Sequence, residues 1–94
     1  MHIVRVEHPV SDFTAWKRSF DSDPAKRQQS GVRRYRVSRA VDDPKFITVD
    51  LEFDGIEAAE GFLAALRNVW GRVTGTLIDT PRGRLLEAVE VKDY

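Results

Sequence analysis

Few residues of this chain are equipped for chemistry, and they sit on short alternating runs rather than in a catalytic motif. His8 closes the run 3–8, IVRVEH, just before Pro9. An imidazole titrates close to neutral pH and can serve as general acid, base or hydrogen-bond partner. Arg39 shares a face with Tyr35, Val37 and Val41. A guanidinium there could clamp a carboxylate or phenolate and stabilise a developing oxyanion, or stack on an aromatic ring. His8 and Arg39 are therefore the catalytic candidates. Tyr35 and Glu87 are expected beside His8, as a candidate acid–base trio, and Trp16 and Trp70 could orient an aromatic ligand.

Each of these residues also has a structural reading. His8 can end a strand and hydrogen-bond a loop carbonyl, and Tyr35 can be a core aromatic with a wet hydroxyl. A buried Glu87 needs a partner, which Arg33 or His8 could supply without any catalysis. The stem of Arg39 can pack while its head reaches water at the sheet edge. Both tryptophans fit the helical stripes that build a core in any case. Asn68 falls opposite the arc of Leu66 and Trp70 and is expected in solvent.

Composition removes several function classes. Fifteen Lys and Arg balance fifteen Asp and Glu, so no global field draws the chain to nucleic acid or an anionic membrane. The basic run RRYRVSR, 33–39, is split across two faces by strand alternation and carries no nucleic-acid reading. With no cysteine and only two histidines, a zinc site lacks its preferred ligands, and no metal is expected. No nucleophile elbow, phosphate-binding loop or dinucleotide fingerprint occurs, so no cofactor is expected either. No apolar run approaches the roughly 20 residues of a membrane span. The expectation is a soluble, cytoplasmic protein of one domain, 1–94, and at that size folding hides only about 60–65% of the unfolded surface.

The elements that must position the candidates follow from periodicity. Val4, Val6 and His8 share one face of strand one, and Pro9 ends its ladder. Ser11 suits an N-cap for a helix over 12–21, in which Phe13, Trp16 and Phe20 form one stripe. Residues 22–30 read as a polar loop with an extra helical turn, closed by Gly31. Runs 32–41 and 46–53 read as a hairpin around Asp43, Pro44 and Lys45, with Val41 opposite Ile47, Val37 opposite Leu51 and Tyr35 opposite Phe53. That register sets Arg36 against Glu52, Ser38 against Asp50 and Arg34 against Asp54. Asp54 and Glu57 suggest the start of a second helix, with Ile56, Ala59, Phe62, Leu63, Leu66, Val69 and Trp70 on its apolar arc and Gly71 as its stop. The connection 72–83 could act as a flap, and 84–92 alternates as a last strand.

Strand, helix, strand, strand, helix, strand is the order of an α+β, ferredoxin-like βαββαβ fold, with a four-stranded antiparallel sheet and two helices on one face. Strand one is placed between strands three and four and parallel to three, which brings its His8 end near Phe53, Arg33, Tyr35, Leu85 and Glu87. The other sheet face would carry Ile3, Phe46, Leu86 and Ala88 among charges, and covering it implies a homodimer paired into an α+β barrel.

The runs VEHPVSDFTAWKRSFD, RAVDDP and EAAEGFL, taken together, resemble the dimeric α+β barrel superfamily, and within it the small proteins labelled antibiotic biosynthesis monooxygenase-like or "cyclase". The resemblance spans nearly the whole chain. It implies either a cofactor-independent monooxygenase-like enzyme acting on a small aromatic or polyketide-like compound, or a non-catalytic dimeric module that binds a ligand or a protein. The haem-degrading members require a histidine on or after the second helix, and here both histidines lie on strand one.

Overall fold

The computed structural model of the chain describes residues 1–73, 78 and 80–94. Six elements follow in order: β1 (His2–Pro9), α1 (Phe13–Asp21), β2 (Arg34–Ala40), β3 (Asp43–Phe53), α2 (Ile56–Val73) and β4 (Arg82–Glu87). The strands lie in the order β2-β3-β1-β4, and every neighbouring pair is antiparallel. The expectation that β1 runs parallel to β3 is therefore corrected. A βαβ crossover returns its second strand in the direction of its first, so β2 runs with β1. The hairpin partner β3, lying between them, runs against both.

Side chains of even number on β1 and odd number on β3 face the helices. Val4, Val6, Ile47, Val49, Leu51 and Phe53 are buried there, beneath Ala59, Phe62 and Leu63 of α2 and Trp16 of α1. Phe53 meets Phe62 with ring centroids 5.4 Å apart, and Trp16 meets His8 at 5.9 Å. Both helices thus cover the same sheet face, as expected. Among the described residues no helix is long and apolar enough to cross a membrane.

Local chemistry adjusts several boundaries. Asp12, not Ser11, caps α1: its carboxylate accepts the Ala15 N–H at 3.2 Å and its carbonyl the Trp16 N–H at 3.0 Å. The hairpin keeps the expected faces but slips by two residues, with Tyr35 opposite Leu51, Val37 opposite Val49 and Arg39 opposite Ile47. A bulge at Arg39 and Ala40 then pairs Ala40 with Asp43, leaving Val41 fully exposed in the turn rather than on the sheet. The Asp43 carboxylate accepts the Lys45 N–H at 3.1 Å, which organises the start of β3 where a loop was expected.

Asp54 is engaged by Arg33 at 2.8 Å, and α2 opens instead on the Gly55 carbonyl. The helix continues through Gly71 to Val73. β4 is shorter than the sequence suggests, ending at Glu87 opposite His2. Gly31 has φ +101°, and a Cβ there would stand 3.2 Å from the Ala58 Cβ, so a glycine is required where the loop turns into β2 beside α2. Of the flap expected at 72–83, residues 72 and 73 belong to α2 and 82 and 83 to β4, while 74–77 and 79 lie outside the described residues.

Candidate functional site

His8 occupies the last inward position of β1, opposite Ile47, which is in turn opposite Arg39. It is only 3% exposed. The Pro9 carbonyl lies 3.0 Å from its Nδ1, and a carbonyl can only accept, so Nδ1 carries the proton of that bond. In the neutral ring Nε2 is then a bare lone-pair acceptor. Burial holds the imidazole below its ordinary titration range, an effect the Pro9 hydrogen bond partly offsets. At neutral pH the ring is therefore a base without a proton on Nε2.

That ring forms part of the wall of a cavity of about 80 Å³ between helices and sheet, otherwise lined mainly by apolar groups such as Val6, Trp16, Phe20, Leu66 and Trp70. Ile78, bridged to Val10, closes one side. Pro24, Ala25 and Arg27 of the loop after α1 supply another. Helical spacing explains the aromatic part of the wall. Phe13, Trp16 and Phe20 form a continuous series with centroids 5.8 and 5.1 Å apart. Gly83 of β4 makes room for Trp70, because a Cβ there would stand 3.0 Å from the indole Cη2 and 2.5 Å from the Leu63 Cδ1.

The cavity brings together three of the sequence candidates, His8, Trp16 and Trp70. The trio of His8, Tyr35 and Glu87 is not assembled. Glu87 pairs with His2 at the opposite end of β1, about 20 Å from His8 at the rise of a strand, and it is exposed. Tyr35 is opposite Leu51, which pairs with Val4, and its ring packs edge-on against Phe20 at 5.2 Å. The trio rested on a parallel β1, and reversing that strand separates its members. Arg39 lies over the Phe13 ring at 4.6 Å and is exposed, so the stacking reading describes it better than a clamp beneath the helices.

Arg27 went unnoticed in the sequence. Its guanidinium carbon sits 3.9 Å from the Phe20 ring centroid and 5.0 Å from that of Tyr35. Its Nη1 donates to the Phe20 carbonyl at 2.8 Å, and Asp23 lies 3.6 Å from its Nε. The i,i+4 spacing of Asp23 and Arg27 was the one available signal.

No protein-family model matches the chain, and a search of curated proteins finds no match. Solved structures do match. A Deinococcus radiodurans protein, assigned by name only to the antibiotic biosynthesis monooxygenases, superposes with a TM-score of 0.68 at 19% identity over 100% of this chain and 98% of that one. A Bordetella bronchiseptica protein with the same assignment gives 0.72 at 12% identity, covering 95% and 98%. A dimeric ferredoxin-like protein from an uncultured marine organism gives 0.66 at 9% identity, covering 99% and 98%. The shared fold is ferredoxin-like. At these identities the likeness is one of architecture, and it supports the resemblance drawn from the sequence at that level.

Proposed function

We propose that the chain acts as a homodimer whose helix-to-sheet pocket takes up a small aromatic or polyketide-like molecule, with His8 accepting a hydrogen bond from the ligand's hydroxyl or enol. The observation that carries this reading is a buried imidazole, its Nδ1 committed to Pro9, standing in a wall that is otherwise mainly apolar. Recognition sites commonly pair an apolar lining with a few fixed polar groups. Trp16 and Trp70 would orient the ring, and Arg39, Tyr35 and Glu87 take no part. In the enzymatic form, Nε2 removes a proton from an activated methylene and the resulting enolate reduces dioxygen. The balanced change is a CH₂ oxidised to C=O by one O₂, with one H₂O released. The monooxygenase assignments of the fold neighbours favour this form.

The dimer reading draws on the uncovered sheet face, where Ile3, Phe46 and Leu86 stand half-exposed among charges, and on the dimeric fold neighbour. A second reading is a non-catalytic module that binds a ligand or a protein, and the cavity's size favours its protein-interaction form. About 80 Å³ is well short of the ~300–1,000 Å³ usual for drug-sized ligands. A thermal-shift screen with phenols, anthraquinones and small carboxylates separates the two, because a bound compound stabilises the native state by mass action. A shift from phenols that His8→Ala abolishes supports the pocket reading, and oxygen uptake with the same compound supports catalysis. No shift from any class favours the interaction module.

A further inference from the structure

The helix-to-sheet cavity is polar at both ends. Besides the indoles, the described residues place three polar side chains in its wall, His8, Ser19 and Arg27. His8 stands at one end. At the other, Arg27 lies over the Phe20 and Tyr35 rings, and Tyr35 shares a row of the sheet with Leu51 and Val4. Val4 and His8 lie on the same strand, and the rise of a strand separates their rows by about 13 Å. Val6, Val49 and Leu51 floor the span between the two ends.

Arg27 also stands in the wall of a second space, an open hollow of about 440 Å³. Arg33 and Arg34 share that wall, and among the described residues Asp23 is its one acid. Asp54 and Glu52, which pair with Arg33 and Arg34, stand outside it. Three guanidiniums against one carboxylate give the hollow a local positive field although the chain as a whole is neutral. The Arg27 side chain is only 14% exposed, so its place is fixed. Its Nη1 donates to the Phe20 carbonyl at 2.8 Å. Asp23 at 3.6 Å from Nε is beyond hydrogen-bond length, and Nη2 has no partner among the described residues. A guanidinium carries five N–H donors in a fork that fits a carboxylate, and most of those of Arg27 are unused.

We infer that the ligand of this pocket is a hydroxyaryl carboxylic acid that spans both spaces, with its hydroxyl or enol on His8 and its carboxylate in the hollow on Arg27. This rests on the pocket reading and names its substrate class. Arg33 and Arg34 are already paired with acids, so they add to the field that draws the anion in. Arg27 is left for direct contact, and one guanidinium is what a carboxylate needs for a bidentate pair. The cavity of about 80 Å³ is then the inner part of a longer site, holding one ring while the acid-bearing end lies in the hollow.

Calorimetry would compare a biphenyl carrying a hydroxyl at one end and a carboxylic acid at the other with the same molecule as its primary amide, and with para-hydroxybenzoic acid, which is too short to reach both ends. The long acid is expected to bind about tenfold tighter than either, and salt should weaken the acid but not the amide. His8→Ala should weaken acid and amide alike. Arg27→Gln should bring the acid down to the level of the amide and leave the amide unchanged. Arg33→Gln/Arg34→Gln, on two exposed side chains, should flatten the salt dependence of the acid without touching the amide. If acid and amide bind equally and His8→Ala weakens both, the acid subsite is wrong while the pocket reading stands. The inference also falls if Arg27→Gln weakens the amide as much as the acid, because Arg27 then only shapes the wall, or if tight binding of the acid survives His8→Ala, because no ligand then bridges the two ends. If none of the compounds binds, both readings fall.

Discussion

His2 and His8 are the same residue on the same face of the same strand, six positions apart, yet they live in different chemistry. His8 lies under α1, edge-on to Trp16, with its Nδ1 bound to Pro9 and its ring in a cavity wall. His2 lies opposite Phe53 and Glu87, and its Nδ1 is enclosed without a hydrogen-bond partner among the described residues. What sets His8 apart is therefore neither the residue type nor the strand face. It is the burial that desolvates the ring together with the Pro9 carbonyl that fixes its tautomer.

Removing the cover gives the largest test of that contrast. Trp16→Ala should destabilise the fold by about 3–5 kcal/mol in urea unfolding and return the His8 titration, followed by NMR, towards ordinary values. A His8 titration that stays low would assign the burial to other neighbours. Gly83→Ala should cost about 1–3 kcal/mol, because the added methyl must displace Leu63 and Trp70. It should also weaken any phenol-induced thermal shift by pressing Trp70 into the cavity. Asp12→Ala removes the cap of a nine-residue helix and should cost about 1 kcal/mol, with hydrogen exchange speeding up in α1 before the sheet.

The finest test is the pH profile. The unfolded imidazole takes up a proton near its ordinary value of 6.5, whereas the folded one does so only at lower pH. Between those values the unfolded state binds the extra proton, so His8's contribution is full above about 6.5 and declines on acidification until the folded ring protonates too. His8→Gln should flatten that segment of the stability curve. A profile unchanged by the substitution would place its source elsewhere.

The contrast also shows which features were readable in the sequence. Alternation in β1 and β3 placed Val4, Val6, Ile47, Val49 and Leu51 inward, because a half-buried strand leaves a period of two whatever its partners. Strand direction followed from the element order, because the crossover sets β2 along β1 and the hairpin sets β3 against both, and taking β1 as parallel to β3 put His8 beside Glu87 when it belongs beside Ile47. The hairpin slip has a different origin. Both registers keep the apolar faces together, and only the bulge at Arg39 and Ala40 selects between them. Arg27 escaped because its partners are ring faces on another helix and strand, which a polar loop sequence does not announce.

The stack of Arg27 on Phe20 and Tyr35 bears on tempo as well as form. The loop it fastens contributes Pro24 and Ala25 to the cavity wall, so a ligand of the kind proposed, entering from that side, would have to displace the guanidinium from both rings. Uptake would then be paced by the protein: as ligand concentration rises, the observed binding rate would level off at the opening rate of the clasp. Arg27→Lys would raise that plateau, because a compact ammonium stacks less well than a planar guanidinium.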